Sequence, residues 1–158
     1  MTDTRYVEPA GPIEGALNRA VRWFSDRGMG PAGAQTLEVT GRKTGALQRI
    51  PVNPVTVGGA EYLVSPRGLT QWVRNVRVAD HVVLRSGRTV RAVTAIELDP
   101  GDDRAVAVLR EYVRRWGWEI GRFLPSPLSA DSADADFRSA LDTVPVFAVI
   151  PSGTAASA

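Results

Sequence analysis

A chain of 158 residues that is 44% hydrophobic can bury one sizeable core, and nothing marks a second one, so residues 1–150 read as a single domain. The absence of cysteine excludes a disulfide framework, a thiolate nucleophile and cysteine-ligated zinc or iron–sulfur sites. Formal net charge is +2, with 19 basic residues scattered among 17 acidic ones; that argues against the dense basic stripe of a nucleic-acid binder and for a local anion site.

No stretch approaches the roughly 18 apolar residues that a membrane-spanning helix needs. Residues 1–9 are polar and charged, without the apolar segment of a secretory leader, so a cytoplasmic location is expected.

Ile13, Ala16, Leu17, Ala20, Val21 and Phe24 recur at helical spacing and predict an amphipathic helix over residues 11–27, ended by Gly28 and Gly30. The period then becomes that of strands, at residues 36–40 and again at 49–57, joined across a glycine-bounded turn. Pro51 and Pro54 argue against a central place for the second strand. Gly58-Gly59 signals a tight turn into a third strand at residues 61–65.

Thr70 can cap a short helix carrying Trp72, Val73, Val76 and Val78. Residues 81–85, a Ser86-Gly87 turn and residues 88–98 form a second hairpin, stopped by Asp99-Pro100-Gly101. Helical spacing returns from Asp102 to Trp116 through Val106, Leu109, Tyr112 and Val113. Residues 117–135 read as loop, 146–150 as a last strand and 151–158 as a disordered tail.

About six antiparallel strands with helices at the start, middle and near the end predict a mainly β fold: a small barrel, its core over residues 35–98, with flanking helices. The alternation of helix and strand needed for a doubly wound sheet is missing. Gly28-Met29-Gly30-Pro31-Ala32-Gly33 matches the dinucleotide pattern, but that fingerprint needs a strand before it and a helix after it. Here the predicted order is reversed, so the stretch reads as a helix-ending linker.

Lys43 is the only lysine, and it stands beside Arg42 in Thr40-Gly41-Arg42-Lys43-Thr44-Gly45, with Arg49 just beyond. A P-loop would need four residues and a second glycine before the lysine. A guanidinium, an ammonium, a hydroxyl and glycine amides within five residues can instead wrap a phosphate or carboxylate from several sides; a solvated hairpin turn is the plainer alternative.

That turn with Arg49 and Pro51, then Ser65-Pro66-Arg67-Gly68, then Trp72-Val73-Arg74-Asn75, and finally Val144-Pro145-Val146, resembles the deazaflavin-dependent nitroreductase family, which uses coenzyme F420. The resemblance runs from about residue 35 to 100 and resumes near 143. It implies a split β-barrel of FMN-binding type. It also implies that Arg42, Lys43, Thr44, Gly45 and Arg49 hold the phosphate-bearing side chain of the deazaflavin, with Pro51 nearby. Asn53, Val64, Ser65, Arg67 and Gly68 would lie along the ring and its linker, and Trp72 and Asn75 beside the cofactor. Trp72 reads equally as core, and Asn75 as a solvent-facing helix residue.

The implied function is an F420-dependent oxidoreductase that passes a hydride from reduced deazaflavin to an electron-poor acceptor: an activated alkene, a quinone or a nitro compound. Several members of the family carry substrate-side tyrosines between the last helix and last strand, whereas this region offers Trp116, Trp118, Phe123 and Phe137. Nitroreduction is therefore less well matched than an apolar pocket. Tyr112, Ser65 or solvent could supply the proton. The aromatic segment with Leu124 could close over substrate, pack in the core or touch a membrane surface.

Two other functions fit the same residues: a carrier that binds F420 without turnover, and an FMN-dependent enzyme of the same barrel. His81, the lone histidine, reads as a surface or strand-edge residue, and the acidic run over residues 131–136 lacks the glycine and terminal glutamate of a calcium loop. No metal site is expected.

Overall fold

A computed structural model describes residues 34–152. The expected helix over residues 11–27, the glycine-rich stretch 28–33 and the end of the chain from residue 153 lie outside the described residues.

Seven strands form one antiparallel sheet: β1 (Gln35–Thr40), β2 (Leu47–Val52), β3 (Val55–Val57), β4 (Ala60–Val64), β5 (Val82–Ser86), β6 (Thr89–Glu97) and β7 (Val146–Pro151). Their order is β2-β1-β5-β6-β7-β4-β3. The single strand expected over residues 49–57 is thus two, broken at Asn53-Pro54, where proline has no N–H to give a ladder. The last strand runs through Pro151, which removes that residue from the expected tail.

This break decides the architecture. β2 and β3 are the two outermost strands of the sheet, yet only Asn53 and Pro54 separate them. Three Cα–Cα steps reach at most about 11 Å, whereas the outer strands of a flat seven-stranded sheet would stand about 29 Å apart. The sheet must therefore curl until its ends meet, making a barrel split along the unpaired β2–β3 seam.

The period-2 alternation sorts the strands' side chains into two layers. Leu37, Val39, Val52, Leu63, Val82, Leu84, Val93, Phe147 and Val149 fill the barrel. The other face, through Val55, Tyr62, Val64 and Val146, packs on two helices. These are α2 (Asp103–Ile120) and α3 (Asp134–Leu141), α2 being followed by one 3-10 turn, Gly121–Phe123.

One mouth of the barrel is plugged by α1 (Gln71–Val76). Thr70 caps it, its Oγ1 accepting the Val73 N–H at 3.4 Å, and Trp72, Val73 and Val76 descend among the strand side chains. The Trp72 ring tilts at 49° against Phe147 with centroids 5.8 Å apart. At the opposite mouth Arg91 forks onto Glu61 at 2.9 and 3.0 Å and reaches Gln35 at 3.3 Å. Each of those three side chains lies two residues before an interior one, so the fork spans the opening.

The loop expected over residues 117–135 is shorter than that, because α2 runs on through Ile120 into the 3-10 turn and α3 begins at Asp134, while Asp131, Asp134 and Asp136 are exposed. Asp134 and Asp136 occupy the first turn of α3, where carboxylates complement the helix dipole. Arg110 gathers the approach by donating to the carbonyls of Ala130 and Ser132 and to Asp134. Phe137, Ala140, Leu141 and Val144 then recur at helical spacing and are all buried.

Candidate functional site

The β1–β2 turn is organised by its own backbone. Gly45 N donates to Gly41 O, and Gly41 N to Ala46 O, each at 2.8 Å, while Thr44 Oγ1 accepts the Ala46 N–H at 3.2 Å. Gly45 sits at φ +70°, a left-handed conformation that side-chain-bearing residues adopt at a cost. Arg42 is half-buried and Lys43 exposed within this frame.

Asn75 of α1 fastens the turn to the barrel. Its Oδ1 accepts both the backbone N–H of Arg42 at 3.1 Å and the Arg42 Nη1 at 2.9 Å, and its Nδ2 donates to Gln48 Oε1 at 2.9 Å. Gln71, one turn earlier on the same helix, accepts a second bond from Arg42 Nη1 at 3.0 Å. Asn75 is 1% exposed, so this is a buried strut and not the solvent-facing residue that was its alternative reading.

Most described arginines are neutralised. Arg49 and Arg85 share Glu38, Arg77 pairs with Glu97, Arg91 with Glu61, Arg104 with Asp102, Arg110 with Asp134, Arg114 with Glu111 and Arg138 with Asp103. Glu97 also raises the pKa of Arg77 further, by its hydrogen bond and then its charge. Among the described residues no carboxylate pairs with Arg42, Lys43 or Arg74, three cations of the turn and of α1 beneath it; Arg88 in the exposed β5–β6 turn and Arg115 over Trp116 are also without one, but they stand singly. Charge that the chain leaves uncompensated in one place is what an anionic ligand requires.

A larger groove of about 790 Å³ lies between β3, α2 and α3. Its arginines, Arg110, Arg114 and Arg138, are each paired with a carboxylate, so volume there comes without free positive charge. A smaller cleft of about 250 Å³ opens between the end of β6 and residues 141–146, walled by the Arg77–Glu97 fork.

The structure brings together Arg42, Lys43, Thr44, Gly45 and Asn75. Ser65, Arg67 and Gly68 form the loop that leads into α1: Ser65 Oγ donates to Gly68 O at 2.7 Å, and the Arg67 guanidinium stacks 4.4 Å from the centre of the Phe123 ring. Trp72 is interior core, and Asn53 stands in the β2–β3 seam. Arg49 and Pro51 are not brought to the turn. Gln48 lies on the face of β2 shared with the interior, and alternation turns its neighbour Arg49 to the outer face, against Glu38 at 2.9 Å. Val64 packs in the helix-side layer.

Tyr112 is also remote, buried in that helix-side layer with its ring 4.9 Å from that of Trp116, on the far face of the sheet from α1. Trp116, Leu124 and Phe137 are core, and Phe123 packs against them. His81 is exposed ahead of β5, as expected. No group of three or more metal-ligating side chains occurs among the described residues, and no described helix is long and apolar enough to cross a membrane.

Sequence reading missed Gln48, Gln71 and Arg74. Two signals were present: Gln71 and Asn75 stand four apart and share one helix face, and Gln48 interrupts the otherwise apolar face of β2.

A curled antiparallel sheet split along one seam, with a basic turn at its helix-plugged mouth, defines a split-barrel protein. Residues 25–117 match the family described as F420H(2)-dependent quinone reductase, well over half of the chain, and the protein belongs to that family. It is thus an F420-dependent reductase by family, and the description names a quinone where the motif resemblance pointed to nitroreductases.

Solved structures agree on the fold. An F420-H2 dependent reductase, FDR-A, superposes with a TM-score of 0.51 at 20% identity, covering 74% of this chain and 93% of its own. HutZ, the heme storage protein of Vibrio cholerae, superposes with a TM-score of 0.54 at 11% identity, covering 78% and 84%. No curated protein sequence matches the chain.

Proposed function

We propose that the turn over residues 41–46, held by α1, docks the acidic side chain of F420, and that the protein reduces an electron-poor acceptor, a quinone foremost. The observation that carries this reading is the trio Arg42, Lys43 and Arg74, cations without carboxylate partners among the described residues, two on a turn already fixed by Asn75 and the third on α1 beneath it. The F420 side chain bears a phosphodiester and carboxylates, which match them in charge and hydrogen bonding. When bound, reduced deazaflavin supplies the hydride.

The protein's part is to bind, orient and shield. Arg42 presents its guanidinium from a fixed position, Lys43 adds a mobile ammonium, and Thr44 and Gly45 keep the turn open to a tail. The Ser65–Gly68 loop, adjoining α1, is assigned to the ring side with Asn53. Trp72, packed on Phe147, serves by fixing α1. The Ser65 hydroxyl is committed to Gly68 O and Tyr112 is buried across the sheet, so the proton is assigned to solvent.

Single-turnover mixing with reduced F420 and a panel of quinones, enones and nitroaromatics tests the reading by deazaflavin absorbance. Oxidation of the cofactor on adding a quinone is expected. Tight F420 binding without oxidation by any acceptor would replace the reductase with a carrier.

A further inference from the structure

The Nε of Arg74 is the buried side-chain polar atom that, among the described residues, has no hydrogen-bond partner. A guanidinium stays charged at any physiological pH, and a buried donor left unmet is costly, so an arginine kept this way calls for an explanation. Most other described arginines lie against a carboxylate or an aromatic face, such as Arg67 over Phe123 and Arg115 over Trp116, and Arg88, which has neither, is exposed to water.

Its position supplies the explanation. Arg74 follows Gln71 by one helical turn and precedes Asn75, and those two residues hold Arg42. Residues three apart on a helix are surface neighbours, so Arg74 flanks the side chain to which Arg42 is tied. Two guanidiniums and the Lys43 ammonium then share one flank with no carboxylate paired to them among the described residues, an arrangement that favours entry of an anion.

We infer that Arg74 is a further ligand-binding residue, whose Nε–H and guanidinium edge receive an oxyanion of the cofactor tail, beside the oxyanion held by Arg42 and Lys43. This rests on the F420 reading above and extends it from the turn to the outer side of α1. The tail offers two sources of that oxyanion, a phosphodiester and a carboxylate.

The test compares wild type, Arg74→Met and Arg42→Ala by calorimetric titration and thermal melting. The probes are F420, the deazaflavin core lacking the phosphodiester tail, inorganic phosphate and triglutamate. Arg74→Met keeps the apolar stem and removes the donors. It should bind F420 about tenfold or more weakly, bind the tailless core like wild type, and melt no lower than wild type when empty. Whichever of phosphate or triglutamate stabilises wild type but not Arg74→Met identifies the oxyanion. If Arg74→Met binds F420 as tightly as wild type while Arg42→Ala does not, the inference is wrong and the turn assignment stands. If affinity for F420 and the tailless core falls together, or the empty variant melts lower, Arg74 is structural and the inference is again wrong. Wild type that binds phosphate through Arg74 but not F420 keeps the anion site and removes the F420 reading; wild type that binds none of the probes removes both.

Discussion

Asn75 Oδ1 accepts two hydrogen bonds from Arg42, one from the backbone N–H at 3.1 Å and one from Nη1 at 2.9 Å, across 33 residues of sequence. Both lone pairs of that oxygen are spent on one partner, which fixes where the turn stands and where its guanidinium points. Asn75→Ala should cost about 1–3 kcal/mol of stability, because the Arg42 N–H and Gln48 lose a buried partner. Asn75→Asp keeps the acceptors but places a carboxylate against Arg42. It should melt higher than Asn75→Ala yet weaken F420 binding as much or more, since the turn's charge is now neutralised from within. Melting curves beside calorimetric titrations separate the two effects.

Gly45→Ala isolates conformational cost from crowding. A Cβ at Gly45 would meet nothing within 4 Å, while φ +70° is strained for alanine, so a loss of about 1 kcal/mol is expected. Gly41→Ala is the contrasting case: its Cβ would come within 3.0 Å of Thr44 Oγ1 and 3.2 Å of Ala46 O, a backbone atom that closes the turn. Chemical denaturation should rank Gly41→Ala as the more damaging change.

Glu38 is 7% exposed and holds Arg49 at 2.9 Å and Arg85 at 3.2 Å on the outer face of β1. Glu38→Gln leaves two guanidiniums facing each other with their shared charge gone. Breaking a fully buried pair costs about 3–5 kcal/mol, and these arginines are partly in water, so about 1–2 kcal/mol is expected. The loss should be measurable in urea, with F420 affinity retained because this cluster faces away from Asn75.

Asp102 caps α2 by accepting the Arg104 N–H at 2.8 Å and pairs with the Arg104 side chain at 2.7 Å. The side-chain bond first, and the backbone bond second, hold its pKa below the usual carboxylate range. A folded-state pKa lower than the unfolded one means stability that is complete above the unfolded value and is lost as pH falls through the folded one. Asp102→Asn retains a capping oxygen without the titration. Its melting temperature should therefore fall less steeply with acid than that of wild type, and a matching slope in both would remove Asp102 from the acid response.

What the sequence made legible were the local features. Alternation located the hairpins, Thr70 announced its helix, and three ordered motifs pointed to the turn and Asn75 together. What escaped it depends on three dimensions or on competing local signals. Arg49 is near Lys43 in sequence, but a strand's period of two sends it to the face opposite Gln48. Asn53-Pro54 looked like a flaw in one strand, whereas it is the link that joins the two ends of the sheet. The aspartates over residues 131–136 are exposed, as their charge suggests, but charge alone does not announce that Asp134 and Asp136 open a helix whose apolar face begins at Phe137. Gln48 and Gln71 carry no motif and Arg74 is only a filler position within one, since their roles arise only when α1 is laid against the β1–β2 turn.

The most direct test of the central claim, that this turn receives the acidic tail of F420, is calorimetric titration of wild type, Arg42→Ala and Lys43→Ala with F420 and with FMN. The account predicts that wild type prefers F420, and that each substitution weakens F420 binding by roughly 1.5–3 kcal/mol, about tenfold or more. Unchanged F420 affinity in both variants would contradict it.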